Sequence, residues 1–113
     1  YVPNSVAYTG THDNDTFMGW AKENKAAAAV AKKYCRANCF FAPLNIAAIK
    51  TLYASPSELV IVPLQDVIGL KSGARMNTPS VLVGNWKWRA LPKQIGDKSA
   101  ERLCDMAKTY CRK

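Results

Sequence analysis

Val6-Ala7-Tyr8-Thr9-Gly10 is a short, mostly apolar run carrying β-favouring Val, Tyr and Thr, which predicts a buried strand. It gives way to the polar run Thr11-His12-Asp13-Asn14-Asp15. A helix is expected after it, with Asp15 as N-cap. Residues 26–34 are rich in Ala and Lys and predict a helix, broken at 38–42. Pro43 suits the first turn of a second helix. Leu44, Ala47, Ala48 and Leu52 then recur at helical spacing, and Ile46, Ile49 and Tyr53 widen the stripe. Ser55-Pro56-Ser57 ends it. Leu59-Val60-Ile61-Val62 is apolar at every position, the pattern of a strand covered on both faces in a parallel sheet, and it too runs into polar residues, Gln65 and Asp66. Residues 69–96 show little regular signal. A last helix is expected from Asp97, with Ala100, Leu103, Ala107 and Tyr110 as its apolar stripe and Cys104 and Cys111 beside it. Glu101 would lie in its first turn and Lys108 and Arg112 near its end, as the helix dipole favours.

The order is strand, polar cluster, helices, strand, polar cluster, long loop, helix. Strands joined by a helical crossover run parallel and lie close together. In parallel α/β folds the ligand site sits at the carboxyl ends of the strands, and both polar clusters fall there. A loop as long as 69–96 is uncommon in a compact domain and usually signals function or disorder. Its two tryptophans and its Arg75-Met76-Asn77-Thr78-Pro79 run argue against disorder.

Length and composition then narrow the classes. The chain has 113 residues and 49% hydrophobic content, enough for one modest domain. No apolar run approaches the ~20 residues of a membrane-spanning helix. Residues 1–20 carry no Lys or Arg, unlike the start of a signal peptide. The chain opens on Tyr1 and its first methionine is Met18, so a processed product or a piece of something longer is expected. The net charge of +8 raises a polyanion partner, but the basic residues are scattered from Lys22 to Lys113 instead of forming a stripe. Cysteines stand at 35, 39, 104 and 111 without a C-x-x-C pair. They read as small, partly buried thiols of a reducing compartment and not as zinc ligands. No metal or cofactor is expected.

Three chemistries fit His12, Asp13, Asn14 and Asp15. The cluster could be a capped strand-to-helix turn, with Asn and Asp satisfying backbone donors. It could be a metal site of His and Asp, although no third or fourth ligand is evident. It could be a polyol-recognition cluster, in which an ionised Asp also stabilises positive charge building at an anomeric carbon. If strand geometry persisted, Asp13 and Asp15 would share a face. Gly69-Leu70-Lys71-Ser72-Gly73 lacks the ending of a phosphate loop. Trp86-Lys87-Trp88-Arg89 could stack on sugar rings or bases, and a small basic RNA- or polyanion-binding module is the alternative reading.

Taken together, the motifs resemble a known family. Tyr8-Thr9-Gly10-Thr11-His12-Asp13-Asn14-Asp15-Thr16, Gly19-Trp20, Pro63-Leu64-Gln65-Asp66-Val67, Ala74-Arg75-Met76-Asn77-Thr78-Pro79 and Gly84-Asn85-Trp86-x-Trp88-Arg89 are similar, in this order and over nearly the whole chain, to the carboxyl-terminal part of the 4-α-glucanotransferases, also called amylomaltase or disproportionating enzyme. The resemblance implies an α/β fold in which residues 1–113 supply the last two β/α units of a (β/α)8 TIM barrel, incomplete in this chain because a full barrel takes about 250 residues. Residues 6–10 would be the seventh strand and 59–63 the eighth. The implied activity transfers α-1,4-glucan segments to another glucan or glucose, with retention. Asp13 would be the catalytic, transition-state-stabilising aspartate. His12 would bind the same sugar, and Asn77 would be a polar substrate-binding position. Gln65 and Asp66 would hold the end of the last strand. The family's nucleophilic aspartate and acid/base glutamate match nothing here. A retaining mechanism needs both, ~5 Å apart, so the isolated chain is expected to be inactive and to supply half of one sugar subsite. The implied partners are α-1,4-glucans (maltooligosaccharides, starch or glycogen-like) and the rest of the barrel, with no nucleic acid and no membrane. The implied location is cytoplasmic, or plastid in a plant or alga. One departure stands out: Ser80-Val81 follows Asn77-Thr78-Pro79 where the family usually has Gly-Thr. Losing that glycine is expected to change the backbone the loop can adopt.

Overall fold

Two short strands run side by side in the computed structural model, which describes residues 2–37 and 42–112. Strand β1 (Val6–Tyr8) pairs in parallel with β2 (Leu59–Ile61), in the register Val6 with Leu59, Ala7 with Val60 and Tyr8 with Ile61. The parallel arrangement expected from the helical crossover is therefore present. Both strands end earlier than the apolar runs suggest, at Tyr8 and Ile61.

The crossover consists of α1 (Phe17–Glu23), α2 (Lys25–Tyr34) and α3 (Leu44–Tyr53). The expected break at 38–42 falls mostly outside the described residues, as does Cys39. Thr16, and not Asp15, caps α1: its Oγ1 accepts from the Gly19 amide at 3.1 Å. Asp15 stands one residue too early for that bond, and its carboxylate goes elsewhere. Pro43 sits just before α3, at its N-cap position. Leu44, Ala47, Ala48, Ile49 and Leu52 are buried along one side of α3, as their spacing predicts. After β2 come the short helix α4 (Leu64–Val67) and a tight turn at Ser72–Ala74. A second tight turn, Pro92–Gln94, precedes α5 (Asp97–Thr109).

The core joins Ile49 of α3, Val67 of α4 and Met106 of α5, with Ile46, Tyr53, Val62, Ile68 and Leu103 against them. Met106 was absent from the stripe expected on α5, whereas Ala100 is exposed. The face that meets α3 is rotated toward Leu103, Met106 and Ala107. Because α5 starts at Asp97, Asp97 fills its first turn and Glu101 lies one turn later.

Arg112 also departs from expectation. It lies beyond α5 and serves α3 instead. Its guanidinium donates to the carbonyls of Leu52 (3.2 Å), Tyr53 (2.8 Å), Ser55 (2.7 Å) and Ser57 (2.8 Å). The last turn of a helix leaves carbonyls without intrahelical partners, and a cation there also meets the negative end of the dipole. One side chain thus closes α3, shapes the turn into β2 and ties the chain end to both.

The two faces of the sheet differ in cover. Ala7 is buried and Val60 half-buried, whereas Val6, Tyr8, Leu59 and Ile61, on the opposite face, are each about half exposed. The expectation of a strand covered on both faces is therefore met only in part by the described residues. Cys35 is half-buried, and Cys104 and Cys111 are exposed, so the expectation of partly buried thiols holds for Cys35 alone among the described cysteines. No helix is long and apolar enough to cross a membrane among the described residues.

Candidate functional site

The carboxyl ends of both strands open onto the same place. After Tyr8 the chain leaves strand geometry and turns, with the Asn14 amide bonded to the Thr11 carbonyl at 3.1 Å. This turn divides the polar cluster. Asn14 folds inward on the turn, its Oδ1 accepting from the Thr11 amide at 2.7 Å and the Thr11 hydroxyl at 2.9 Å. Asp15 accepts from the Thr16 amide and from the Ser72 hydroxyl, both at 2.7 Å. Gly19 packs so close to that pair that a Cβ would lie 2.4 Å from Asp15 Oδ2 and 2.5 Å from Ser72 Oγ. Only glycine leaves room for α1 to approach. The shared face proposed for Asp13 and Asp15 is absent, because it required strand geometry through residue 15.

His12 and Asp13 remain available, with side chains 57% and 47% exposed. Asn77 Nδ2 donates to Asp13 Oδ1 at 2.6 Å, and His12 Nε2 lies 3.3 Å from the same oxygen. The three residues singled out in the sequence, His12, Asp13 and Asn77, therefore meet in one place although 64 positions separate Asp13 from Asn77. The Asn77 amide also bonds to the His12 carbonyl at 3.1 Å. Among the described residues no three of His, Cys, Asp and Glu gather as a metal-holding group.

Asp66 supports this end of the molecule from below. It is 2% exposed. Its carboxylate accepts from the Thr9 hydroxyl at 2.5 Å and from the Phe17 amide at 2.7 Å, and its carbonyl accepts from the Asn45 side chain at 2.8 Å. One buried carboxylate thus ties the end of β1 to the start of α1. Gln65 is buried too and donates to the Ala74 carbonyl at 3.3 Å. Both residues belong to α4 rather than to the strand end itself. A cleft of about 150 Å³ lies between His12, Asp15, Gln65, Asp66 and Arg75.

The long loop is held largely by its own side chains. Arg75 reaches the Asp13 carbonyl at 2.7 Å and the Asn77 carbonyl at 2.8 Å. Asn85 accepts from the Thr78 amide at 2.9 Å and donates to the Val81 carbonyl at 2.8 Å. Arg89 donates to the carbonyls of Trp86 and Trp88 at 2.9 and 2.8 Å. Trp86 holds a left-handed backbone, φ 62, its amide bonded to the Met76 carbonyl at 2.7 Å. Its ring lies 5.3 Å from that of His12, tilted by 37°. A bulky residue in this conformation is a genuine outlier, and such strain persists only where surrounding contacts over-determine it. Trp88 is half-buried, and Arg89, though exposed, spends Nη1 on the Trp86 and Trp88 carbonyls.

Ser80 also adopts the left-handed region, φ 65, in a turn closed by the Val81 amide on the Thr78 carbonyl at 3.2 Å. Proline at the second position and a left-handed third residue make the arrangement of a type II turn, where glycine is usual. The missing glycine therefore leaves the left-handed conformation in place, imposed on serine. Ser80→Gly should stabilise the turn by about 0.5–1 kcal/mol, read as a rise in the urea-denaturation midpoint.

A family model described as 4-alpha-glucanotransferase matches residues 1–94. The chain belongs to the 4-α-glucanotransferase family. It is 37% identical over 111 residues to the 4-alpha-glucanotransferase of Streptococcus pneumoniae, covering 96% of this chain and 22% of that protein. It is 36% identical over 117 residues to the chloroplastic/amyloplastic 4-alpha-glucanotransferase of Arabidopsis thaliana, covering 96% of this chain and 19% of that protein. In structure it resembles the amylomaltase of Streptococcus agalactiae solved in complex with acarbose, with a TM-score of 0.91 and 32% identity over 99% of this chain and 23% of that one. The chain thus spans about a fifth of the length of the 4-α-glucanotransferases it matches. Nothing in these comparisons supports the RNA-binding alternative.

Proposed function

We propose that this segment forms the last two β/α units of a (β/α)8 glucanotransferase barrel and carries part of its glucan subsite. The observation that carries the reading is the Asp13 carboxylate, held at 2.6 Å by Asn77 beside His12 beyond the end of a parallel strand. In this reading the sugar lies over His12 and Asp13. The carboxylate faces the anomeric region, where charge grows as the α-1,4 bond breaks. His12 and Asn77 bind sugar hydroxyls, and the Trp86 indole offers an apolar face beside them. The nucleophile and the acid/base come from earlier strands of the same barrel. Those strands also cover Val6, Tyr8, Leu59 and Ile61, the half-exposed sheet face. Substrates are α-1,4-glucans, with one segment transferred to another glucan or to glucose.

The isolated 113-residue chain lacks both reacting carboxylates, so maltotriose incubated with it should yield no glucose above buffer. The full-length enzyme, assayed in parallel, should disproportionate the same substrate. Glucose release by the isolated chain that Asp13→Ala abolishes would show that the catalytic set has been misassigned.

A further inference from the structure

Resting on the assignment of Asp13 above, we propose that Arg75 is a positioning residue that sets the Asp13–Asn77 pair. The side chain spans two backbone segments 64 residues apart in sequence. Nη2 donates to the Asp13 carbonyl at 2.7 Å, and Nε donates to the Asn77 carbonyl at 2.8 Å. The backbones it joins are those whose side chains meet at 2.6 Å. The Asn77 amide on the His12 carbonyl closes a second link at 3.1 Å. Two links between the segments leave the loop little freedom to slide. The Asn77 amide group is then delivered to the carboxylate in one orientation.

The requirement for arginine follows from shape. A guanidinium presents several donors in a rigid fork and can address two carbonyls at once, whereas an ammonium is a compact point charge on a flexible stem. Arg75 is only partly exposed, and among the described residues it has no carboxylate within ion-pair distance. Both its hydrogen bonds go to backbone oxygens, the pattern expected of a strut. An ångström-scale misplacement of a reacting group costs on the order of 100-fold in rate, so loosening this strut acts on turnover before it acts on affinity.

The test uses the full-length enzyme carrying this segment, with kcat, KM and melting temperature measured on the same preparations of Arg75→Ala, Arg75→Lys, Asn77→Ala, the Arg75→Ala/Asn77→Ala double variant and Asp13→Asn. Arg75→Ala should lower kcat roughly 10- to 100-fold, well below its melting temperature, with little change in KM. Arg75→Lys should recover only part of that loss. The double variant should be about as impaired as the worse single variant, because both changes break one unit. If Arg75→Ala does not fold, Arg75→Lys and Asn77→Ala carry the comparison. Wild-type kcat in the Arg75 variants with a lowered melting temperature would assign the side chain to folding alone and overturn the proposal. Fully additive losses in the double variant would overturn it too. Impaired Asp13→Asn with unimpaired Arg75 variants would reject the strut and leave the Asp13 assignment standing. A fully active Asp13→Asn would reject both.

Discussion

Replacing Asp13 by Asn in the full-length enzyme should lower kcat by about 100- to 1,000-fold, roughly 3 to 4 kcal/mol, while KM changes little. The exposed carboxylate sits at the strand end beside His12 and accepts from Asn77 at 2.6 Å. Glycosyl transfer passes through an oxocarbenium-like state. A fixed negative charge gains attraction as positive charge develops, so its loss acts mainly on the transition state. Asparagine keeps the shape of the side chain, which isolates the charge. It does place an amide where an acceptor now meets Asn77, but the two amides can pair if one turns over. If Asp13 merely shaped the turn, the same change would cost about 1 kcal/mol of stability with near-normal turnover in the cold. Melting temperature and kinetics on one preparation separate the outcomes. A destabilised but fully active Asp13→Asn enzyme would remove Asp13 from the catalytic machinery.

Asp66→Ala is the substitution expected to cost most in folding, about 3–4 kcal/mol. The residue is 2% exposed, and its carboxylate satisfies the Thr9 hydroxyl and the Phe17 amide at once. Removing it loses two charge-assisted hydrogen bonds. It also strands a donor at the first residue of α1 and frees the end of β1 from the helix that follows. Asp66→Asn should be milder yet still damaging, since one side-chain amide cannot accept both bonds in the same geometry. Equilibrium urea denaturation of the full-length enzyme checks both variants, provided the unfolding is reversible. A loss under 1 kcal/mol for Asp66→Ala would show that water replaces the carboxylate without cost.

The pattern of apolar positions was sufficient for the two strands, the crossover helices and α5 in their order, but not for α4 or the two tight turns. Runs 6–10 and 59–62 became the two parallel strands, the Leu44, Ala47, Ala48 and Leu52 stripe became the buried face of α3, and Asp97 began α5. These features depend on local periodicity, which is written into consecutive residues. The candidate site was partly legible for a related reason: polar residues directly after an apolar strand stand out, and the topology rules place them at the ligand end.

Tertiary structure decided how each polar residue is used. Within His12, Asp13, Asn14 and Asp15, two side chains turned inward to the turn and to Ser72, and two stayed at the opening. Asn14 bonds locally to Thr11, but Asp15 and Asp13 take partners 57 and 64 residues away, Ser72 and Asn77, which no spacing rule reveals. Arg75, Arg89 and Arg112 look alike in sequence as surface cations, yet each bonds to backbone carbonyls. A side-chain-to-carbonyl bond leaves no mark on the partner's identity, since every residue carries the same acceptor. The coverage of the sheet follows the same logic. Leu59-Val60-Ile61 announces two apolar faces, but only the folded chain shows which face its own helices take and which it leaves half exposed. Sequence alone determined the strands, the crossover helices and α5 because their causes are local. The site's geometry, its struts and the open side of the sheet came from contacts between distant residues, which only folding brings together.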